Sequence, residues 1–532
     1  MSRKILLLCI EGVGEFSQHL PLGVLYVADA LRKAGYDPLI IHDEATPQTY
    51  DKVFAEAKDC LFAGFSVKTD YNLFHVAALS KMIKDLGVPV VWGGLHPSLA
   101  PESALALEWV DYVVLGEGEI STPLLADAIR DGTSVASIRG IGHKENGTLS
   151  TITSAGFSEL APDLDAFEPL WELVDLQRYV IGPDRQMFFV ESRGCPYECI
   201  FCYNTVVNKR RWRGHSVDYV LRQLDFLRSE AGMRHVFFTS DNFFVNKRRA
   251  FEIVEKMKMP WECSLVAEYI DEKFVLKAKR TGCRGLHVGA ESGSESFLQN
   301  VKKGNTTLED YLRAADLCTK YRIFIGFSFI LGFPYETEED RLDTLKFMLR
   351  LYKDYNCTVG IPKFLNPYPG TEAYTQSVNL GWDPPKTIEE WAENTRDKYI
   401  LPFISPKRLR KYKAIRHCFR VLHTLRDLRS VYRWSPFVLW PLQLLMELRI
   451  KTLFTNFPLE IWAYDAIRKV VRKWKKRFDR IKTKDDVIEL SAQRARHRRS
   501  LLPDELAQMS EGALIYDQIP PSPVTTVYGG FP

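Results

Sequence analysis

The feature that most constrains this chain is an alternation in its first 150 residues. Short runs that are apolar throughout, at 4–10, 37–42, 60–67, 88–94 and 111–116, are separated by stretches at 21–34, 50–58, 71–86 and 101–109 with apolar residues at helical spacing. A strand apolar on both faces must be covered on both, and the connecting helices do that when the strands run parallel. The expectation is a doubly wound α/β domain over 1–150. Such sheets take ligands at the carboxyl ends of their strands, where the strand order reverses. Four loops fall on that edge: Gly12-Val13-Gly14, Ser66-Val67-Lys68-Thr69, Gly93-Gly94-Leu95-His96-Pro97-Ser98 and Gly116-Glu117-Gly118-Glu119. Any one of them would serve as a plain turn, since glycine is the default turn residue. Four on one edge point to a pocket where backbone approaches a ligand closely.

At 532 residues the chain is too long for one core, and two or three domains are expected. The apolar run that follows Met1-Ser2-Arg3-Lys4 is brief and meets no small-residue cleavage site, so it reads as a buried strand rather than a signal peptide. No apolar, charge-free stretch reaches 18 residues, so no membrane span is expected. Ten cysteines, most isolated in apolar segments, read as reduced cytoplasmic thiols rather than a disulfide framework.

The strongest local signal is Glu191-Ser192-Arg193-Gly194-Cys195-Pro196-Tyr197-Glu198-Cys199-Ile200-Phe201-Cys202. Three thiols within eight residues, directly after the apolar run 187–190, put soft anionic ligands on one tight loop, and thiolates select zinc or iron–sulfur clusters. Zinc asks for a fourth ligand, which is not nearby, whereas three cysteines suit a [4Fe-4S] cluster with one iron left open. Downstream, strand candidates at 235–239, 261–267, 285–289, 324–331 and 358–363 alternate with helical patterns at 217–229, 248–257, 308–321 and 338–352. In barrels of parallel strands the site lies at the strands' carboxyl ends. Those ends carry Asp241 and Asn242, Glu268, Glu291-Ser292-Gly293 and Gly332-Phe333-Pro334. Each carboxylate alone is as readily a solvated loop charge, and their common location raises them.

The Cys-x-x-x-Cys-x-aromatic-Cys pattern, with Phe201 in the aromatic place, resembles the signature of the radical S-adenosylmethionine (SAM) superfamily. Pro21-Leu22-Gly23, the run at 90–97 and the run at 110–119 resemble the cobalamin-binding domain of B12-dependent members. The resemblance implies a Rossmann-like (flavodoxin-like) cobalamin domain over 1–150, a linker over 151–180 and a partial (β/α)6 TIM-type barrel over 181–405. It further implies a [4Fe-4S] cluster on Cys195, Cys199 and Cys202, SAM near Phe201, Asp241, Glu291 and Gly332, and an external electron donor of flavodoxin or ferredoxin type. A corrinoid would lie against Gly12, Ser66, Thr69, Gly93, Gly94, His96, Gly116 and Glu117. Many cobalamin domains carry Asp-x-His-x-x-Gly after the first strand, with the histidine on cobalt. The matching positions here are Glu11, Val13 and Phe16, so the expected corrinoid lacks that ligand, with His19 and His96 as remaining contacts. The implied chemistry is a 5′-deoxyadenosyl radical used to methylate an unactivated carbon of a lipid, natural product or tetrapyrrole-like small molecule. Alternatives are a radical cyclase or oxidoreductase without methyl transfer, and a zinc-binding regulatory protein.

The region 406–500 differs in kind. It holds 26 Lys and Arg against 8 Asp and Glu, a net +18 in a chain of net +4. It reads as helical, with an apolar, Trp-bearing piece at 437–446 and another at 453–462, each flanked by basic residues. Three roles fit: a peripheral membrane element, a lid across the barrel mouth, or a phosphate-binding surface. No nucleic-acid module accompanies it, which favours the first two over nucleic acid. The Pro-rich stretch 501–532 reads as a flexible tail.

Overall fold

In the computed structural model, residues 2–453 are described except for 15, 71, 146–147, 151–155, 303, 305, 356, 394–402 and 432–435. The expected alternation folds into two parallel sheets. The first contains β1 (Lys4–Glu11), β2 (Asp37–Glu44), β3 (Phe62–Ser66), β4 (Val90–Gly93) and β5 (Tyr112–Val114), in the order β2-β1-β3-β4-β5. The order reverses at β1, which pairs in parallel with β2 on one side and β3 on the other. β1 buries all but its first residue, which is why its sequence shows no polar alternation.

Two features differ from expectation. The helix expected over 101–109 is only Pro101–Leu105, and another five-residue helix, Leu95–Leu99, precedes it, because Pro101 cannot continue the first and begins the second. The sheet also extends past β5 through an antiparallel hairpin, β6 (Ile141–Glu145) and β7 (Thr148–Ser150). Asn146-Gly147, between these strands, is the sequence signal for it.

From 156 the chain crosses to the second sheet through short 3-10 turns, the last at Leu176–Tyr179. That sheet contains β8 (Gln186–Phe189), β11 (His235–Phe238), β12 (Trp261–Leu265), β13 (Cys283–Glu291) and β14 (Phe324–Leu331), ordered as in the chain and all parallel. It ends in two short strands, β15 (Thr358–Val359) and β16 (Lys363–Phe364), both pairing with β14. Helices Val217–Ala231, Lys247–Met257, Glu272–Arg280, Leu308–Lys320 and Glu338–Asp354 connect these strands, giving a partial barrel. Thr307 and Thr337 each start a helix with a reciprocal capping box, to Asp310 and Asp340. Between β8 and β11, β9 (Ser192–Arg193) pairs with β10 (Arg213–Gly214) and closes the cysteine loop at its base.

Three helices towards the C-terminus return to the body. Helix Ile388–Glu393 leaves the barrel region and buries Ile388 and Trp391 in the core of the first sheet. Helix Pro406–Val431 buries Tyr412, Ile415, Phe419 and Leu422. Its His423 ring and Arg426 guanidinium reach the carbonyls of Val359 and Cys357, so it covers the barrel at β15. Helix Pro436–Thr452 packs behind it through Met446 and Ile450. The rest of the basic region and the tail lie outside the described residues, and among the described residues no helix is long and apolar enough to cross a membrane.

Candidate functional site

The cysteine loop begins at Gly194, whose φ of +82° and contact with the Arg211 carbonyl leave no room for a side chain. Its middle is pinned from both sides: the Ile200 amide donates to Val301 O (3.0 Å) and Ile200 O accepts from Ala373 N (2.9 Å). Asp241, at the end of β11, holds both flanks. One carboxylate oxygen accepts from Gly194 N (3.1 Å) and the other from Tyr203 OH (3.0 Å). All ten cysteines are free, and Cys195, Cys199 and Cys202 are the three that are not fully buried. Loss of hydration pushes all three thiols up, Cys195 to about 12. Metal-free, they would stay protonated at neutral pH, so a bound cation must displace protons to use them. Among the described residues no three His, Cys, Asp or Glu side chains converge as a single-ion site. A cluster, whose cysteines attach to separate irons, does not require that convergence.

The barrel's other carboxyl-end residues gather around this loop. Glu291 sits at a register shift at the end of β13 with φ +66°, a conformation non-glycine residues rarely adopt. Burial raises its carboxyl to about 7, against the pull of the Lys302 and Lys363 ammonium groups. Lys302, itself buried, donates to Gly289 O (2.7 Å) and reaches toward Cys199. Gly332 takes φ +85°, and the turn it opens is held by Glu336, which accepts from Gly332 N (2.6 Å) and Phe333 N (3.2 Å). Phe201 packs its ring edge-on to Phe333 at 5.7 Å. Phe201, Asp241, Glu291 and Gly332 thus all surround the cysteine loop. Asp241 is exposed at the cleft, and loss of hydration beside the loop raises its carboxyl above the usual carboxylate range.

At the first sheet's edge the structure brings Ser66, Thr69, Gly93, Gly94 and Gly116 together. Val67 exchanges backbone hydrogen bonds with Gly93 and His96, and the Gly116 amide donates to Ser98 Oγ (2.8 Å). Gly94, at φ +95°, has the Val67 backbone 3.0 Å from where a Cβ would lie, so no other residue fits. Gly12 is on the same edge, where Lys68 bridges to Glu11 (3.1 Å).

Two expected corrinoid contacts are corrected. His96 is wholly buried, with its ring nitrogens on Thr69 (3.2 Å) and Ser103 (3.1 Å), and desolvation lowers it to about 3. Glu117 is committed to the barrel, gripping Arg213 with both oxygens (2.5 and 3.0 Å) and approaching Arg193 at 3.2 Å. His19 stacks on the barrel's Phe188 at 4.0 Å. Val13, where a cobalt-ligating histidine would stand, is 64% exposed, and Glu11 is buried against Lys68, Asn72 and His42.

Sequence reasoning missed the joint between the two edges. Arg193, two residues before Cys195, pairs with Glu119 (2.6 Å) as well as Glu117, and its guanidinium lies 5.0 Å from the Tyr26 ring centroid. His215 bonds Tyr26 OH (3.3 Å) across the same interface. The Gly-Glu-Gly-Glu loop is thereby clamped to the strand that feeds the cysteine loop, and the two edges meet. The only available signal was the excess of charge in both loops, which no periodicity ties together.

Comparison with known proteins agrees with this two-part site. Residues 190–348 match the Radical SAM superfamily and residues 14–126 match the B12 binding domain. An uncharacterized methyltransferase of Pyrococcus horikoshii is 30% identical over 440 residues, 77% of this chain and 94% of that protein. The chain belongs to the B12-binding radical SAM family. As a member it is an enzyme that uses a [4Fe-4S] cluster, SAM and cobalamin, and the zinc-regulator reading is set aside. An anaerobic magnesium-protoporphyrin IX monomethyl ester cyclase of Synechocystis is 25% identical over 66% of this chain and 72% of its own length. Among solved structures, the radical SAM methyltransferase TsrM of Kitasatospora setae, with cobalamin and a [4Fe-4S] cluster bound, superposes with a TM-score of 0.60. It is 19% identical, covering 74% of this chain and 85% of that one, and shows a shared fold.

Proposed function

We propose that this radical SAM enzyme transfers a methyl group to an unactivated carbon of a small molecule. The observation that carries the reading is the clamp of Glu117 and Glu119 on Arg193 and Arg213, which fixes the corrinoid-type edge against the cysteine loop. Methylation at a carbon radical needs the methyl donor and the radical source to face one substrate. In this reading Cys195, Cys199 and Cys202 hold the cluster, and Phe201, Asp241, Glu291 and Gly332 line the SAM site. Gly12, Ser66, Thr69, Gly93, Gly94 and Gly116 seat the corrinoid, with no histidine offered to cobalt. When bound, the cluster supplies one electron to SAM and the corrinoid carries the methyl group. The chain's own residues orient both and exclude water. That the P. horikoshii relative is named a methyltransferase supports this outcome, while the Synechocystis relative keeps ring formation as the second reading. Cells expressing the chain and fed methyl-deuterated methionine should accumulate a metabolite that retains the deuterated methyl group. A new metabolite lacking the label would favour cyclisation.

The substrate's route is part of the proposal. Along helix Pro436–Thr452, Trp440, Leu444 and Leu448 are 58%, 42% and 55% exposed, in one stripe opposite the buried Met446 and Ile450. Each inserted side chain is worth roughly 1.5–3 kcal/mol, and each nearby cation about 1 kcal/mol at anionic lipid. Peripheral contact with a membrane would deliver a lipophilic substrate. Co-sedimentation with anionic liposomes should fall in Trp440→Glu/Leu444→Glu with cluster content unchanged. If the unaltered protein never sediments at low salt, the membrane route fails.

A further inference from the structure

We propose that the basic turn around residues 208–211, on the outer side of the cysteine loop, is the docking surface of an acidic one-electron carrier protein. This rests on the cluster assignment above and adds the place where its electron enters. Lys209, Arg210 and Arg211 are consecutive and exposed. Lys209 and Arg210 take φ of +49° and +58°, two left-handed residues in a row without a glycine. Such backbone is costly and persists where the surroundings over-determine it.

The surroundings do so here. Arg210 N donates to Asn204 O (3.2 Å) and Arg211 N to Asn208 O (2.9 Å), while Asn208 Nδ2 donates to Asn204 Oδ1 (2.6 Å). The other donor to close the path is Asn204 Nδ2, 3.7 Å from Cys202 Sγ. The exposed turn is therefore one hydrogen-bonded residue away from a cluster cysteine, and electron transfer falls off steeply with distance.

A second basic segment adjoins it. Lys247, Arg248 and Arg249 open helix Lys247–Met257, which has no acid in its first turn. Cations at that end oppose the helix dipole, so their placement does not serve the helix. Arg249 turns inward to Glu191 and lies 5.7 Å from the ring of Trp212, which seats the segment beside the turn. Lys247 and Arg248 remain exposed. The contrast with the interior is plain: Arg193, Arg213 and Arg249 are consumed in buried pairs. On the outer face Arg210 shares the exposed Glu198, and among the described residues Arg211 and Arg248 make no ion pair.

A positive surface with a short path to the cluster fits a negatively charged protein that docks transiently, because complementary fields raise the encounter rate more than the affinity. The step is a single electron transfer: the carrier's reduced centre is oxidised by one electron, the cluster is reduced by one, and no bond forms or breaks.

The test compares two reductants on the anaerobic holoenzyme and on Lys209→Glu/Arg211→Glu/Arg248→Glu. Bleaching of the cluster absorbance is followed with reduced flavodoxin and, separately, with dithionite. The expected result is a rate constant with flavodoxin at least about tenfold lower in the variant and lost salt dependence, with the dithionite rate unchanged. Lys209→Gln/Arg211→Gln should give a smaller drop in the same sense, should the reversal variant fold poorly. Flavodoxin should also bind cluster-free protein at low salt and not bind its charge-reversed form. An unchanged flavodoxin rate, or equal binding by both forms, overturns the docking surface. Absence of bleaching by either reductant would instead count against the cluster assignment, and binding to the cluster-free protein would still decide the docking.

Discussion

The two parallel sheets present their carboxyl edges to one another, yet the edges are built from opposite chemistry. The first offers small residues and backbone: Gly94 and Gly116 adopt positive φ, and the charges nearby are already paired, Glu11 with Lys68 and Glu119 with Arg193. The barrel's edge offers carboxylates whose protonation is perturbed by loss of hydration, the buried Glu291 and the more exposed Asp241 among them. A large ligand recognised by shape needs an edge of the first kind. A small charged cofactor, with an ammonium to neutralise a buried carboxylate, needs one of the second. The difference teaches that one architecture, the parallel sheet, sets only where ligands bind, while the loop residues set which ligand.

Changes at the joint between the edges should have the largest effect. Arg193→Met leaves Glu119 buried without its cation, and breaking such a pair costs about 3–5 kcal/mol. The denaturation midpoint should fall accordingly, and a shift no larger than that of a surface arginine would mean the edges are not held by this clamp. Next comes the first edge itself. Gly94→Ala meets the Val67 backbone at positive φ, a strain of about 1–3 kcal/mol. It should weaken corrinoid uptake while leaving cluster content intact, and equal loss of both would erase the distinction between the edges.

The effect of Glu291→Gln is expected in the pH dependence of stability. The Glu291 carboxyl is raised from 4.5 to about 7, so the folded protein holds that proton more tightly than the unfolded chain. Its contribution to stability is fully present below pH 4.5 and is lost as pH rises through 7, on the order of 3 kcal/mol. Denaturation across that window should fall less steeply with pH in the variant than in the parent. An identical slope would show that Glu291 is not the perturbed group. His19→Ala should have the least effect: its ring stacks on Phe188, so the electron paramagnetic resonance spectrum of bound cobalt should be unaltered. Loss of nitrogen coupling on this change would mean the first edge supplies a ligand after all.

Much of the fold could be read before the structure, because it rests on local periodicity. Strands such as β1, β3 and β11 are short runs of mostly apolar residues, and the helices between strands carry capping residues such as Thr307 and Thr337. What escaped reading is what depends on distant partners. His96 looked like a loop histidine beside glycines, and only the packing of Ser103 and Trp391 around it reveals a core residue. Glu117 looked like a pocket residue because its partners, Arg193 and Arg213, lie far along the chain. Helix Glu272–Arg280 was missed because its apolar stripe is only Phe274, Val275 and Ala278 among basic residues. In the cysteine loop, by contrast, all the chemistry falls within eight residues, which is why it was the plainest signal in the sequence.

The central claim is that Cys195, Cys199 and Cys202 hold a cluster with one iron open to SAM. Its most direct test is electron paramagnetic resonance of the anaerobically purified, dithionite-reduced protein, recorded with and without SAM and accompanied by iron and sulfide analysis. The account predicts iron and sulfide in equal amounts, a reduced-cluster signal that shifts on adding SAM, and loss of both signal and 5′-deoxyadenosine formation when the three cysteines are replaced together by alanine. Stoichiometric zinc without sulfide, or a triple variant that still cleaves SAM reductively, would contradict it.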